Sequence, residues 1–253
     1  MFQAINLTKS YRQKVVLSGV SFEVERGELF CLLGGHGAGK STTIDLFLNL
    51  TKATSGNCMI GSINVANQPL KPKALLAYVP PALPLYEQLT GLENLHYFST
   101  MAGFEELSHD DIVRLYKELG IDERLVDAPA STYSIDARQR LGLAIAVARD
   151  AKALLLDEPT TGMDAATAEQ FTALVRSYAD GIITGQPAAV LMATSSWTLA
   201  TEFAHKVGLM KGGKLLEVIE LDDVGPEEFS ERCAEHMADH MDDRLANRLE
   251  GEL

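Results

Sequence analysis

The chain has 253 residues, of which 46% are hydrophobic and 23% charged, a composition typical of a folded globular protein and not of a disordered chain or a fibre. Its formal net charge of -13 argues against general nucleic-acid binding and gives no reason to expect adsorption to anionic lipid. The cysteines, Cys31, Cys58 and Cys233, match no zinc spacing and cannot all pair, which favours a reducing compartment.

The membrane-spanning class of protein is not expected. No apolar run approaches the ~20 residues that a spanning helix needs. The first residues show neither the basic region nor the apolar core of a signal peptide. If the protein works at a membrane, we expect another chain to supply the membrane segments.

The first third of the chain predicts short strands around one helix. Strand patterns cover residues 15–17 and 20–24, and Gly27 follows as a break. Residues 28–33 predict a buried strand in which Cys31 packs as a small hydrophobic residue. A glycine loop follows, and then residues 41–50 predict a helix.

The middle of the chain predicts a helical lobe, at about residues 86–140, inserted into an α/β core. Helical periodicity covers residues 91–101 and 108–119, with glycines as stops. A helix over residues 137–149 returns the chain to the core. Buried strands follow at residues 152–156 and 188–193.

Residues 222–253 are strongly acidic and show helical spacing from Glu228 onward, which predicts a helical C-terminal tail. Side chains that could bind a transition metal recur in it at helical spacing: Cys233, His236, Met237, Asp239, His240, Met241 and Asp243. A solvated acidic helix is the simpler interpretation. A dimer contact or a docking segment is also compatible with this composition.

The strongest motif is a phosphate-binding loop. Residues 34–41 fit the pattern G-x-x-x-x-G-K-[ST] between a predicted strand and a predicted helix. Glycines let successive N–H groups point at phosphate oxygens, and the helix adds its positive dipole end. Lys40 places a cation on the outer phosphates, and the Ser41 hydroxyl can bind Mg²⁺. The predicted ATP-binding residues of the loop are Gly34, Gly35, His36, Gly37, Ala38, Gly39, Lys40, Ser41 and Thr42.

A flexible glycine-rich turn is the alternative to the phosphate loop, and the flanking elements argue against it. The second half of the site is a pair of carboxylates that follows an apolar strand, at the end where open α/β sheets place their chemistry. Asp157 is suited to hold Mg²⁺ through water, and Glu158 to polarise an attacking water. Alone, such a pair would often be a helix cap or a solvated loop.

Asp157 follows Lys40 by about 117 residues, with the helical lobe between them. This arrangement resembles the nucleotide-binding subunit of ABC transporters, and more specifically the single-domain subunits of ABC-2 type exporters, over about residues 2–221. The resemblance implies an α/β fold: a RecA-like P-loop core with N-terminal antiparallel β strands and an inserted helical subdomain.

Further segments support the resemblance. Tyr11 matches the adenine-stacking aromatic of the family, although a core tyrosine is the alternative. Residues 159–164 match its D-loop, residues 86–95 match the stretch that enters the helical lobe, and residues 211–215 match the turn that closes the core.

Three functional positions depart from the family pattern. The family's glutamine that senses Mg²⁺ and links the site to the membrane partner is replaced by Pro81, which has no side-chain donor or acceptor. Ser195 stands where the family has its switch histidine and is too short to hold the γ-phosphate. His205 lies ten residues too late, and we expect it in a helix.

The third departure is in the signature, Leu-Ser-Gly-Gly-Gln or Tyr-Ser-Gly-Gly-Met in the family, where residues 133–137 read YSIDA. Ile135 and Asp136 add bulk and negative charge where the family's glycines approach the γ-phosphate of ATP held by the other subunit. One like-charge pair at ~5 Å and an effective dielectric constant of 20 costs roughly 3 kcal/mol. Asp136 could alternatively cap a helix that starts at Ala137.

The resemblance therefore implies an ATP-binding subunit of a membrane exporter with ATP and Mg²⁺ as cofactors. Its partners would be an integral-membrane transporter subunit and a second nucleotide-binding subunit, in a homodimer or a heterodimer on the inner face of the cell membrane. The three departures predict slow hydrolysis. A regulatory ABC protein without a membrane partner is the first alternative. A small-molecule P-loop kinase is the second, and the D-loop and residues 138–141 argue against it.

Overall fold

The computed structural model of the chain describes residues 1–222, 224–225, 228–229 and 231–233. The strands are β1 (Phe2–Tyr11), β2 (Lys14–Val24), β3 (Leu29–Leu33), β4 (Ser55–Ile60), β5 (Ile63–Asn64), β6 (Leu76–Val79), β7 (Ala153–Asp157), β8 (Ala189–Thr194), β9 (Lys206–Lys211) and β10 (Lys214–Glu220). The α-helices are α1 (Lys40–Phe47), α2 (Gly91–Met101), α3 (His109–Glu118), α4 (Ile135–Ala148), α5 (Ala165–Ala179) and α6 (Trp197–Phe203). Short 3-10 helices cover Pro72–Ala74, Glu123–Leu125 and Ala130–Thr132.

An antiparallel sheet in the order β2-β1-β4-β5 begins the fold. The two strand segments expected at 15–17 and 20–24 form one strand, β2, and Gly19 lies between them with a φ of 67°. Strand β1, which pairs with β2 along its length, has no counterpart among the predicted elements. Polar residues lie between the buried Phe2, Ala4 and Leu7, so the apolar pattern of β1 is weak.

The second sheet has the order β10-β9-β3-β8-β7-β6. Its interior pairs are parallel, and every residue of β3, β7 and β8 is buried. Continuous apolar runs suit strands that are covered on both faces. Because β8 lies between β3 and β7, the segments that follow these three strands meet at one edge of the sheet.

Two apolar clusters lie on opposite faces of the parallel sheet. Strand β3 contributes Leu29, Cys31 and Leu33 to the cluster that includes helices α2 to α6. It contributes Phe30 and Leu32 to the cluster shared with α1 and the antiparallel sheet. Cys31 is fully buried, as predicted, and burial raises the pKa of its thiol.

The middle of the chain is helical, as predicted. Helix α2 has the predicted bounds, and a capping box formed by Thr90 and Glu93 fixes its start. Helix α4 begins at Ile135, two residues before the predicted start, because the Ser134 hydroxyl accepts from the Ala137 N–H at 3.2 Å. The alternative in which Asp136 caps this helix is therefore wrong.

The expectation that His205 lies in a helix is also wrong. His205 lies between α6 and β9, where its Nδ1 accepts from the Leu29 N–H at 2.9 Å. Its Nε2 lies 3.3 Å from Asp180 Oδ1. Burial, with Arg176 second, lowers the pKa of His205. These contacts give His205 a structural role at the start of β3.

Little of the predicted tail can be compared with the structure. Phe229 is buried, and the centroid of its ring lies 4.8 Å from that of Trp197. Cys233 is also buried. The candidate metal ligands from His236 onward lie outside the described residues. Within the part of the chain that the structure describes, no helix is long and apolar enough to cross a membrane.

Candidate functional site

The glycine loop connects β3 to α1 and is packed closely against the core. A Cβ on Gly34 would lie 2.3 Å from the Met210 carbonyl oxygen, and one on Gly39 2.6 Å from Leu17 Cδ2. Gly39, the residue before α1, also has a φ of 105°. Larger residues are excluded at both positions, so the loop can keep its N–H groups at the start of α1.

The predicted loop residues differ in exposure. Gly35, His36, Gly37 and Ser41 are exposed, Gly34 and Thr42 are half-buried, and Ala38, Gly39 and Lys40 are buried. The exposed backbone of the loop faces solvent at the edge where β3 ends. An anion can therefore reach its N–H groups directly.

The Lys40 ammonium group lies at the centre of the site. It donates to the carbonyl oxygens of Gly34 at 2.6 Å and Gly35 at 3.2 Å, and its Nζ lies 3.1 Å from Glu158 Oε1. Its side chain is 7% exposed, and that of Glu158 is 25% exposed. This ion pair joins the glycine loop to the acidic end of β7.

Asp157 ends strand β7 and lies beside the start of α1. Its Oδ1 accepts from the Ser41 hydroxyl at 3.0 Å. Burial raises the pKa of Asp157; nearby Glu158 and Asp45 add to this shift, and the Ser41 hydrogen bond and Lys40 oppose it. A hydroxyl and a carboxylate at this distance are the hard oxygen ligands that Mg²⁺ prefers, so the predicted pair fits this ion.

Glu158 has an unusual backbone conformation, and both of its carboxylate oxygens make contacts. Its φ is 44°, in the left-handed region, and its N–H donates to the Ala193 carbonyl at 2.9 Å. Its Oε2 accepts from the Ser195 N–H at 3.0 Å and from the Ser195 hydroxyl at 3.1 Å. Ser195 thus contacts the carboxylate that was predicted to act on water.

Tyr11 ends β1 and is 47% exposed, so it is not a core tyrosine. The Lys9 ammonium lies 4.5 Å from the centroid of its ring. An exposed ring with a cation on one face offers its other face for stacking on a base.

The turn with Pro81 is held by a residue that sequence reasoning did not assign. Gln139, on α4, is 1% exposed, and its Nε2 donates to the carbonyls of Pro80 at 3.0 Å and Pro81 at 2.9 Å. Within the described residues, its Oε1 is buried without a hydrogen-bond partner. The polar run Arg138–Arg140, directly before the apolar residues 141–148 of the helix, was the available signal.

Asp136 is not an unpaired charge. Its Oδ1 accepts from Arg140 Nε at 2.7 Å, and Arg140 also donates to the Leu119 carbonyl at 2.8 Å. The repulsion of roughly 3 kcal/mol expected for a lone charge therefore overstates the effect, because the paired guanidinium offsets it. Ile135 remains 48% exposed, and a Cβ on Gly162 would lie 3.1 Å from its Cδ1.

Arg138 connects the same helix to an exposed aromatic surface. It donates to both carboxylate oxygens of Glu87, at 2.6 and 2.8 Å. Beside Glu87, the hydroxyl of Tyr86 donates to that of Tyr97 at 2.9 Å, and both rings are exposed. Met101 continues this surface with 72% exposure.

Comparison with known proteins agrees with this geometry. The ABC transporter family profile matches residues 17–161. A linearmycin resistance ATP-binding protein of Bacillus subtilis is 30% identical over 86% of this chain and 68% of its own length. A lantibiotic transport ATP-binding protein of Streptococcus pyogenes is 28% identical over 91% of this chain and 95% of its own. A dimeric structure of a bacterial ABC transporter cassette superposes with a TM-score of 0.76 over 87% of this chain and 99% of its own, at 23% identity.

Because the Asp157 carboxylate is buried, replacing it is expected to increase the stability of the fold and to decrease the affinity for ATP. An acid whose pKa is raised in the folded state destabilises the fold above that pKa, and the penalty disappears as pH falls through it. Asp157→Asn should therefore raise the free energy of unfolding at neutral pH, with a smaller gain at acidic pH. It should also weaken Mg²⁺-dependent ATP affinity by roughly 10- to 100-fold.

Urea unfolding at several pH values and calorimetric titration with and without Mg²⁺ would measure both effects. Asp127→Asn is the matched control, because the Asp127 side chain is 74% exposed. Lower stability of Asp157→Asn at neutral pH would contradict the assigned direction of the pKa shift.

Proposed function

This chain belongs to the ABC transporter ATP-binding family, and from that membership we propose that it is the ATP-binding subunit of an ABC-type membrane exporter. ATP binding and hydrolysis are the activities of this family. The observation that carries the proposal is the assembly of Lys40, Ser41, Asp157 and Glu158 within hydrogen-bonding distance at one edge of the parallel sheet. The relatives named for resistance and for lantibiotic transport support an exporter.

We assign ATP binding to Tyr11, which stacks on the base, and to residues 34–42, which hold the phosphates. The loop N–H groups and the dipole of α1 favour the negative charge of the phosphates. Lys40, already buried and oriented by two carbonyls, supplies the cation for the outer phosphates. Ser41 and Asp157 would hold Mg²⁺, which neutralises phosphate charge when bound.

We assign the role of general base to Glu158. A water oxygen bonds to the γ-phosphorus, the bond from that phosphorus to the bridging oxygen of ADP breaks, and a water proton passes to the Glu158 carboxylate. Lys40 lies 3.1 Å from that carboxylate, so the base and the phosphate-binding cation are held side by side. The contacts of Ser41 and Asp157 place the metal ligands on the same edge of the sheet.

The membrane partner would dock around residues 86–93, on the surface to which Tyr86, Tyr97 and Met101 contribute. These side chains form an exposed apolar and aromatic surface, which is uncommon unless it contacts a partner. The Arg138–Glu87 ion pair links this surface to α4. This feature favours a transport subunit over a regulatory protein without a membrane partner, and it would place the chain on the inner face of the cell membrane.

The first prediction of this proposal concerns ATP binding. Lys40→Ala should reduce ATP affinity below detection in a calorimetric titration, a loss of at least roughly 100-fold, because charge-assisted hydrogen bonds to phosphate are lost. Lys73→Ala is the control, since Lys73 is an exposed lysine remote from the glycine loop. Unchanged affinity of Lys40→Ala would remove the basis for the proposal.

The second prediction concerns docking. A photo-crosslinking residue at Tyr97 should link to an integral-membrane transporter subunit when the chain is produced in the cells of its own organism. A crosslinker at Ile182, which is 73% exposed against 38% for Tyr97, serves as the control, since it is at least as accessible. Crosslinks that formed only from positions after residue 222 would place the partner on the tail instead.

The third prediction concerns pairing. We propose that this chain is the degenerate half of an asymmetric heterodimer. In a homodimer, Pro81, Ile135 and Ser195 would alter both ATP sites, whereas a partner with intact motifs would leave one site facing a normal signature. The purified chain alone should hydrolyse ATP roughly 10²- to 10⁴-fold more slowly than an intact site. Turnover assays and light scattering with ATP measure rate and dimerisation. Brisk hydrolysis by the pure homodimer, lost on Glu158→Gln, would rule out this arrangement.

A further inference from the structure

Ser195 lies at the point where the two halves of the site face each other. Strand β8 is hydrogen-bonded to β3 on one side and to β7 on the other. The glycine loop follows β3, Glu158 follows β7, and Ser195 follows β8. Parallel pairing therefore brings Ser195 between them without any contribution from its own side chain.

The contacts of Ser195 reach the carboxylate and distinguish its two oxygens. Its N–H and its hydroxyl both donate to Glu158 Oε2, at 3.0 and 3.1 Å. Oε1 faces Lys40 at 3.1 Å. Each carboxylate oxygen has about two lone-pair directions, so Oε2 is saturated and Oε1 keeps one direction free.

The backbone of Glu158 shows that this orientation is imposed by its surroundings. A non-glycine residue at a φ of 44° is strained, and such strain persists only where neighbouring contacts determine the conformation. The contacts from the end of β8 are the Ala193 carbonyl, which accepts from the Glu158 N–H, and the two donors of Ser195. Backbone and side chain of Glu158 are thus held by the same short segment.

We propose that Ser195 is a positioning residue for hydrolysis, which saturates Oε2 of Glu158 so that Oε1 is the oxygen that takes the proton from water. This inference rests on the proposed role of Glu158 as general base. The imidazole that the family places at this position serves the γ-phosphate, whereas Ser195 acts through the carboxylate. In the hydrolysis step Ser195 keeps its own proton and forms no bond to the substrate.

Ser195→Ala tests the proposal by kinetics at enzyme concentrations in excess of ATP. It should lower the hydrolysis rate constant roughly 10- to 100-fold, because a base displaced by about 1 Å loses rate on that scale. The enzyme concentration that gives the half-maximal rate constant should change less than about twofold, since Ser195 does not contact the glycine loop in the described hydrogen bonds. Ser195→Thr, which keeps the hydroxyl, should restore the rate.

Ser196→Ala is the matched control. The Ser196 hydroxyl caps α6 by accepting from the Leu199 N–H at 3.4 Å and does not reach Glu158. Losing this cap should lower Tm by roughly 2–4 °C and leave the rate constant unchanged. Ser195→Ala should show the opposite pattern, with a lower rate and a nearly constant Tm, which a merely structural role would not produce.

A second comparison separates this inference from the proposed function. In a Glu158→Gln background, Ser195→Ala should cause no further loss of rate, because its effect passes through the carboxylate. Turnover that depends on Glu158 but not on Ser195 would overturn the inference and leave the proposed function standing. Hydrolysis by the parent chain that is indifferent to Glu158→Gln would overturn both.

Discussion

The ion pair between Lys40 and Glu158 is the contact on which the rest of the site depends. It spans 3.1 Å across the end of the parallel sheet and joins two segments that are far apart in the sequence. Its side chains are 7% and 25% exposed, so the attraction is less screened than that of a surface pair. Without the order β3-β8-β7, the two residues could not meet.

The three segments that the sequence analysis compared with the family motifs all make hydrogen bonds within the chain. The Pro80–Pro81 turn is held by Gln139, Asp136 is paired with Arg140, and Ser195 binds Glu158. These contacts hold all three positions within the fold.

Helix α4 connects three separate parts of the molecule. Its consecutive polar residues Arg138, Gln139 and Arg140 contact Glu87, the Pro80–Pro81 turn and the end of α3. Tilting α4 would therefore move the signature and the exposed aromatic surface together. This is a packing constraint, because the remaining side chains of α4 are mostly buried among apolar residues.

The sequence by itself determined the glycine loop, the acidic end of β7, the bounds of α2 and the α/β class, because these depend on local patterns: glycine spacing, apolar periodicity and capping residues. It did not reveal β1, whose apolar residues alternate irregularly with polar ones. The tertiary structure alone decided that Asp136 is paired, that His205 supports β3 and that Ser195 reaches Glu158. The contacts of His205 and Ser195 depend on strand order and on side-chain direction, which no local pattern encodes. Asp136 and Arg140 stand one helical turn apart, but they could pair only because α4 starts at Ile135, and a cap at Ser134 decided that start.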